Sequence, residues 1–160
     1  LAGNTGCGLC GVESLAALGS SLQAMSPQPW LASLTVETLL RASRALPDHQ
    51  PLNHACGALH AAAWVSPEGE LLAVMEDVGR HNALDKLLGQ RARDSRLQEP
   101  GFVFMTSRAS HELIRKCVRM GVGAMAAISA PTDFAVDIAA RSGLQLWGLV
   151  RGQRAVRYTR

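Results

Sequence analysis

The sequence lacks a long apolar run, is poor in aromatic residues and contains few cysteines. No run approaches the roughly 20 apolar residues that cross a bilayer, so we expect no membrane partner. Aromatic residues make up 4% of the 160 residues, so a single domain must pack its core with Ala, Leu and Val. The cysteines are too few and too scattered for a disulfide framework; they are Cys7, Cys10, Cys56 and Cys117. These absences predict a compact protein from a reducing, cytoplasmic compartment.

The chain also lacks an initiating methionine and a basic-then-apolar leader. It begins at Leu1, shortly before a pair of cysteines. We interpret it as the C-terminal part of a longer protein. In this interpretation residues 1–160 form one domain, and residues 1–29 form a mobile loop and linker.

Positive charge is concentrated near the end of the sequence, while the chain as a whole carries a net charge of +3. The basic residues concerned are Arg141, Arg151, Arg154, Arg157 and Arg160. Such a segment favours an anionic partner such as a phosphate, a nucleotide or an acidic protein surface. An ordinary solvated surface is the alternative. No aromatic residues alternate with these cations, so we expect no nucleic-acid partner.

The hydrophobic pattern predicts alternating strands and helices. Helices are predicted at residues 12–18, 35–46, 80–93, 110–120 and 132–142. Strands are predicted at residues 60–65, 70–76, 102–106, 124–128, 144–150 and 155–158, and loops at 20–29 and 47–51. The first two strands form a hairpin around Ser66-Pro67-Glu68-Gly69. This order predicts an α/β fold in which helices cover a mixed central sheet.

Three strand-to-helix junctions carry polar groups suited to an anion. Arg108 and Ser110 lie in one junction, and Ser129 and Thr132 lie in another. Helix N-termini favour anions, and a guanidinium binds phosphate with two hydrogen bonds. Ordinary helix capping is the alternative for Ser110 and Thr132.

The third junction contains Arg80 and His81. Asp85 lies four residues after His81 on the same predicted helix face, where a carboxylate is able to orient the imidazole. A surface cluster of ion pairs is the alternative. Cys117 falls on an apolar helix stripe and is predicted to be a core residue.

The motif Cys7-Gly8-Leu9-Cys10-Gly11 is the most informative feature of the chain. Two thiols at this spacing serve dithiol redox chemistry, metal ligation or persulfide relay. A zinc site with His54, Cys56 and His60 is conceivable, but the second half lacks the paired spacing of structural zinc modules. The aromatic-rich start of thioredoxin-like proteins is absent. Flexible glycines beside the thiols favour a relay between two partners.

The sequence resembles the formate dehydrogenase accessory sulfurtransferase (FdhD/NarQ) family over nearly its whole length. Besides the cysteine motif, the resemblance rests on the following segments: His60-Ala61-Ala62-Ala63, Gly69-Glu70-Leu71-Leu72-Ala73-Val74, Glu76-Asp77-Val78-Gly79-Arg80-His81-Asn82-Ala83-Leu84-Asp85-Lys86, Arg108-Ala109-Ser110, Ser129-Ala130-Pro131-Thr132 and Leu149-Val150-Arg151-Gly152-Gln153-Arg154. The segment from Glu76 to Lys86 is the most specific of these. A substantial N-terminal part of the usual family protein is not represented.

The resemblance implies a three-layer α/β/α fold like that of cytidine deaminase. It also implies that sulfur is taken from a cysteine desulfurase as a cysteine persulfide on Cys7, with Cys10 assisting. The sulfur would go to the bis-molybdopterin guanine dinucleotide cofactor of formate dehydrogenase, containing molybdenum or tungsten and bound as a substrate. No tightly held cofactor and no metal of its own are expected, and a homodimer is the family expectation.

The resemblance also implies which residues hold the guanine nucleotide portion of that cofactor. They are Leu149, Val150, Arg151, Gly152, Gln153 and Arg154. The anionic parts of the cofactor suit the junctions described above, so we predict that Arg108, Ser110, Ser129 and Thr132 also hold it. Arg80 and His81 are predicted to supply positive charge near the thiol or the cofactor.

Three rival functions differ in their chemistry. A zinc deaminase needs His-x-Glu and Pro-Cys-x-x-Cys, whereas Ala62 stands where the Glu would follow His60 and no Pro precedes the cysteine motif. A cofactor chaperone would bind nucleotide without transferring sulfur. A dithiol reductase would cycle Cys7 and Cys10 through a disulfide. The persulfide sulfurtransferase is the function that we predict.

Overall fold

The computed structural model describes residues 22–159. The helices are α1 (Val36–Ala45), α2 (Pro51–Cys56), α3 (Arg80–Arg93), α4 (His111–Arg119) and α5 (Asp133–Ser142), with 3-10 turns at Pro29–Ser33 and Leu46–His49. The strands are β1 (His60–Val65), β2 (Leu71–Asp77), β3 (Phe102–Met105), β4 (Ala124–Ala127), β5 (Gln145–Arg151) and β6 (Arg154–Arg157). No helix among these residues is both long and apolar enough to cross a membrane.

The six strands form one mixed sheet in the order β2-β1-β3-β4-β5-β6. Strands β3, β4 and β5 are parallel, whereas β1 runs antiparallel to both β2 and β3, and β6 runs antiparallel to β5. The predicted hairpin is confirmed, and Gly69 has the positive φ of +90° that its turn requires.

Helices cover both faces of the sheet, which confirms the three-layer α/β/α prediction. On one face α3, α4 and α5 pack over Trp64, Val103 and Met125. On the other face α1 packs over residues of alternate register such as Phe102 and Phe104. This alternation is the two-residue period of strands buried on both sides. Cys117 is fully buried in the first of these layers, as predicted.

The sequence pattern located the large elements to within about two residues and missed one short helix. Helix α2 has six residues and lies mostly in the interval between the predicted loop at 47–51 and strand β1. That loop is instead a 3-10 turn followed by the first residue of α2. The predicted helix at residues 12–18 and the first part of the predicted linker lie outside the described residues.

The segment from Glu76 to Lys86 holds three layers of the fold together. The Glu76 carboxylate accepts hydrogen bonds from the backbone N–H groups of Leu52 and Asn53, at 3.0 and 2.8 Å, and so caps α2 from β2. The Asp77 carboxylate accepts from Gly79 N at 2.9 Å and pairs with Lys86 Nζ at 2.6 Å. These contacts connect the end of β2 to both neighbouring helices.

The Asp77 contacts predict a pH-dependent contribution to stability. Hydrogen bonds from Lys86, Gly79 N and Asn82 lower the pKa of Asp77 to about 2, from an ordinary value of 3.8. We expect Asp77→Asn to lower the free energy of unfolding at neutral pH. Because a lowered carboxyl pKa stabilises the fold only while the group is ionised, the deficit should shrink as the pH falls from about 4 towards 2. Urea unfolding between pH 7 and pH 3 measures this.

Asp137→Asn is the matched control, because Asp137 is in an exposed pair with Arg141 on α5. Exposed pairs of this kind contribute little. Equal losses in the two variants at neutral pH would contradict the role assigned to Asp77.

Candidate functional site

The ends of several strands from the described part of the chain meet at one edge of the sheet. Since β3, β4 and β5 are parallel, their carboxyl ends meet at the same edge. The antiparallel pairing of His60 with Asp77 brings the start of β1 and the end of β2 to that edge as well. The two-residue turn between Arg151 and Arg154 completes it. We call this the carboxyl edge.

All described residues of the predicted site lie at the carboxyl edge, on two sides of the sheet. The hairpin residues Leu149 to Arg154 join β5 to β6, Ser129 and Thr132 lie between β4 and α5, Arg108 and Ser110 lie between β3 and α4, and Arg80 and His81 begin α3. Cys7 and Cys10 lie outside the described residues. The predicted residues of four separate segments therefore share one edge of the sheet but lie on both of its sides.

A cavity of about 620 Å³ opens at this edge on the side covered by α1 and α2. Its walls are formed by Ser43, Leu46, Pro47, Gln50, Asn53, Gly57, Leu59, His60, Thr106, Ile128, Ser129 and Arg151. None of these described residues carries a carboxylate, and Arg151 and His60 supply the basic groups. The cavity therefore favours an anionic or neutral polar ligand over a cation.

Two amide side chains in the cavity wall retain free hydrogen-bonding capacity. Gln50 is only 6% exposed, and its amide makes no hydrogen bond to any described residue. Asn53 uses its Oδ1 to accept from Leu59 N at 3.0 Å, which leaves its NH₂ group available. Both amides therefore offer hydrogen-bonding groups to a polar ligand in the cavity. Thr106 is different, because its hydroxyl already accepts a hydrogen bond from Ala61 N at 2.7 Å, which connects the end of β3 to β1.

Four arginines at the carboxyl edge form no ion pair with any carboxylate of residues 22–159. They are Arg80, Arg108, Arg151 and Arg154. Several other cations in the same range are paired: Arg44 with Glu37, Arg91 with Glu99 and Lys116 with Asp85. The carboxyl edge therefore carries uncompensated positive charge, as the anionic-partner interpretation expects.

The last part of β5 packs closely against the backbone of the junction between β4 and α5. A Cβ at Gly148 would lie 3.0 Å from Pro131 Cδ and 3.1 Å from Ser129 O. Leu149 N donates to Ser129 O at 3.2 Å, and Leu149 has a φ of +53°, a strained value for a bulky residue. The strain lies two residues before Arg151, which lines the cavity.

The other residues of this hairpin have different surroundings. Val150 is fully buried in the core beneath α1. Gly152, Gln153 and Arg154 are exposed at the turn and do not line the cavity. Thr132 caps α5 by accepting from Ala135 N at 3.2 Å, as the capping alternative predicts.

A second polar group of residues lies on the opposite side of the sheet, where α3 and α4 begin. We call it the α3–α4 cluster; it consists of Arg80, His81, Ser110, His111 and Glu112. The predicted contact between His81 and Asp85 is not formed, because Asp85 Oδ1 instead accepts from Lys116 Nζ at 2.6 Å. Each cluster residue has a buried side-chain atom with no hydrogen-bond partner among the described residues.

Burial controls the charges in the α3–α4 cluster. Burial lowers the pKa of His81, Arg80 lowers it further, and Glu112 offsets this only in part, so the imidazole is neutral at neutral pH. Burial raises the pKa of Glu112, but the nearby Ser110 hydroxyl, its own backbone N–H and the two imidazoles lower it more. Glu112 is therefore ionised, although the Ser110 hydroxyl does not reach hydrogen-bond geometry.

The described residues offer no metal site. Within residues 22–159, no group of three or more His, Cys, Asp or Glu side chains is arranged to hold an ion. His54 Nε2 instead lies 2.9 Å from Pro47 O, and Cys56 is exposed at the end of α2. Cys7 and Cys10, the other residues of the zinc alternative, lie outside the described residues.

Sequence reasoning missed the α1–α2 wall of the cavity. The sequence does not single out Gln50, Asn53 or Thr106, and it suggests His60 only as a zinc ligand and as part of a family segment. Pro51 at the first helical position and Gly57 with a φ of +67° after the last are a helix signature that would have located α2.

Comparison with known proteins identifies the family of the chain. The family model described as the FdhD/NarQ family matches residues 1–160. The chain belongs to this family.

Its relatives include the sulfur carrier protein FdhD of Chromobacterium violaceum, 50% identical over 159 residues, which cover 99% of this chain and 59% of that protein. The sulfur carrier protein FdhD of Burkholderia cenocepacia is 47% identical over 158 residues, with coverages of 99% and 57%. The chain thus spans less than two thirds of the length of these FdhD/NarQ proteins.

A solved structure supports the fold. It is the crystal structure of a protein assigned as a formate dehydrogenase accessory protein from Desulfotalea psychrophila. The TM-score is 0.76 at 24% identity, over 89% of this chain and 59% of that one. At this identity the likeness shows the fold of the family.

The two described cysteines are predicted to differ sharply in reactivity. Burial raises the pKa of the Cys117 thiol to about 12, whereas Cys56 is exposed. Because the thiolate is the nucleophile, iodoacetamide at pH 8 should modify Cys56 and leave Cys117 untouched in the folded protein. Peptide mass mapping measures this, with urea-unfolded protein as the control in which both react. Equal labelling of the two in the native protein would contradict the burial of Cys117.

Proposed function

We propose that this chain is the sulfur-carrying, cofactor-binding part of an FdhD/NarQ protein. It accepts sulfur as a cysteine persulfide from a cysteine desulfurase and delivers it to the bis-molybdopterin guanine dinucleotide cofactor of formate dehydrogenase. The observation that carries the proposal is the carboxylate-free cavity at the carboxyl edge, in a chain whose relatives are named sulfur carrier proteins.

In the proposed loading step Cys7 is the sulfur carrier. Its thiolate attacks the outer sulfur of the desulfurase persulfide, a new S–S bond forms, and the desulfurase thiolate leaves. The exchange conserves electrons, because one S–S bond replaces another. Cys10 assists release of the sulfur, or resolves a stalled persulfide by forming a disulfide with Cys7 as hydrogen sulfide departs.

The cavity is proposed to hold a guanine nucleotide end of the cofactor, which is bound as a substrate. Arg151 lines the cavity and forms no ion pair with any described carboxylate, so it is suited to a phosphate. The amides of Gln50 and Asn53 provide donors and acceptors for a base or ribose. Arg108 and Arg154 add positive charge at the same edge, and Thr132 caps the neighbouring helix α5.

The partners in this proposal are a cysteine desulfurase and formate dehydrogenase. A homodimer in the cytoplasm is proposed as the working form, and the molybdenum or tungsten belongs to the cofactor. Because relatives are longer than this chain, the experiments should use the full-length protein that contains it.

Sulfur loading is tested by intact mass after incubation with a cysteine desulfurase and cysteine. The wild-type protein should gain one sulfur that a reductant removes, and Cys7→Ala should gain none. Cys56→Ala is the matched control and should load normally, because Cys56 lies on α2, outside the proposed relay motif. Loading that persists in Cys7→Ala and disappears in Cys56→Ala would show that the carrier is assigned to the wrong residue.

The same experiment separates the rival functions. A protein that gains no sulfur but still binds guanine nucleotide would be a cofactor chaperone. A protein in which Cys7 and Cys10 cycle through a disulfide with an ordinary reductant, without gaining sulfur, would be a dithiol reductase.

Nucleotide binding in the cavity is tested with GDP by isothermal titration calorimetry. Arg151→Gln should weaken GDP binding by about tenfold or more, because a charge-assisted hydrogen bond contributes about 1.5–3 kcal/mol. Arg93→Gln is the control, since Arg93 is an exposed arginine near the end of α3, away from the carboxyl edge. An equal and small effect of both substitutions would place the nucleotide elsewhere.

A further inference from the structure

The α3–α4 cluster concentrates the unsatisfied polar groups of the structure. Among residues 22–159, nine buried side-chain nitrogen or oxygen atoms lack a hydrogen-bond partner. Five of them belong to this cluster: Arg80 Nε, His81 Nε2, Ser110 Oγ, His111 Nε2 and Glu112 Oε2. Each buried polar atom without a hydrogen bond lowers the stability of the fold. Five such atoms in one place therefore indicate a bound group that forms hydrogen bonds with all of them.

Helix α3 adds uncompensated positive charge to this place. It has 14 residues, its N-cap is Gly79, and its first turn contains no acidic residue. The backbone N–H groups of Arg80, His81 and Asn82 have no acceptor among the described residues. A cation such as Arg80 at a helix N-terminus is unfavourable, and a bound anion would relieve it.

The nearby carboxylates do not neutralise the positive charge at the start of α3. Asp77 is already bound to Gly79 N, Asn82 and Lys86. Glu112 belongs to the first turn of α4 and is influenced by the Ser110 hydroxyl, its own N–H and His111. His111 Nδ1 lies 3.3 Å from Glu112 Oε2, without hydrogen-bond geometry.

Ser110 contributes a buried hydroxyl without a partner to the cluster. It is the N-cap of α4 and only 8% exposed, but its hydroxyl makes no capping hydrogen bond. Its effect on the pKa of Glu112, and the mutual effect of Glu112 and His81, place the hydroxyl, carboxylate and imidazole in one neighbourhood. A buried serine that leaves its own helix uncapped has its hydroxyl free for another partner.

The chemistry of these atoms defines the missing group. Arg80 Nε can only donate, and the Ser110 hydroxyl and the imidazole nitrogens can donate as well, so the group must carry several acceptors. Ionised Glu112 can only accept, so the same group must also carry a donor. A tetrahedral oxyanion that keeps a proton has both, whereas a fully deprotonated oxyanion would be repelled by Glu112.

We propose that the α3–α4 cluster is a second anion site, which binds a protonated phosphate group by its O–H to Glu112 and by its oxygens to Arg80, Ser110 and the start of α3. The phosphate is either free or the terminal phosphate of a nucleotide. The site lies across the sheet from the cavity of Arg151 and is independent of the sulfur-carrier proposal.

The first test needs no variant and is isothermal titration calorimetry of the wild-type protein with inorganic phosphate and with sulfate. At pH 6, phosphate and phosphate monoesters both retain a proton in a substantial fraction, whereas sulfate has none. We expect phosphate to bind at least tenfold more tightly than sulfate. Equal affinity for the two anions, or no saturable phosphate binding, would overturn the proposal.

Two substitutions test the assigned contacts. Arg80→Gln should weaken phosphate binding about tenfold or more, since a charge-assisted hydrogen bond is lost. Glu112→Gln should bring the phosphate-to-sulfate affinity ratio close to one, because an amide can donate to sulfate while a carboxylate cannot. Arg119→Gln, at the far end of α4, is the control and should keep both the affinity and the ratio.

Unchanged phosphate affinity in a folded Arg80→Gln protein, or an unchanged phosphate-to-sulfate affinity ratio in a folded Glu112→Gln protein, would contradict the proposed contacts.

Competition with a nucleotide identifies the source of the phosphate. In the Arg151→Gln background, GMP that displaces inorganic phosphate would show that a nucleotide phosphate enters the site, and no displacement would show that free phosphate is the ligand.

Discussion

Parallel pairing of β3, β4 and β5 is the constraint on which the rest of this structure depends. It directs three strand ends, and therefore three following segments, to one edge of the sheet. The antiparallel pairing of β1 with both its neighbours adds the start of β1 and the end of β2 to the same edge. Residues as distant in sequence as His60 and Arg151 line one cavity because of this topology.

The acidic and basic residues near this edge have divided roles. Carboxylates such as Glu76, Asp77 and Asp85 are engaged with helix α2, Lys86 and Lys116, so they hold the layers together. The arginines of the edge find no such partners among the described residues. Because Glu76, Asp77 and Asp85 are used by the scaffold, the positive charge of these arginines remains available for anions, on the α1–α2 side for the proposed nucleotide and on the α3–α4 side for the proposed phosphate.

The hydrophobic pattern of the sequence predicted the helices well where they are long enough to show several turns of the period. Helix α3 was predicted at residues 80–93 and is Arg80–Arg93, because Ala83, Leu84, Leu87 and Leu88 define a buried stripe. Helix α2 was missed because six residues are too few to show a period, and it is stabilised by Glu76, more than 20 residues away. The interpretation of His81 with Asp85 failed for a related reason, since Lys116 on another helix takes the carboxylate.

Composition, periodicity and the specific segments of the sequence were enough to determine the layered α/β architecture and the family, and to predict the edge of the candidate site. These properties depend on local spacing and on residue types that are visible along the chain. Only the tertiary structure decided which side chains remain without partners. Ser110 between α3 and α4 is a polar residue like many others in the sequence, and burial by distant segments is what leaves its hydroxyl without a partner and free for a ligand.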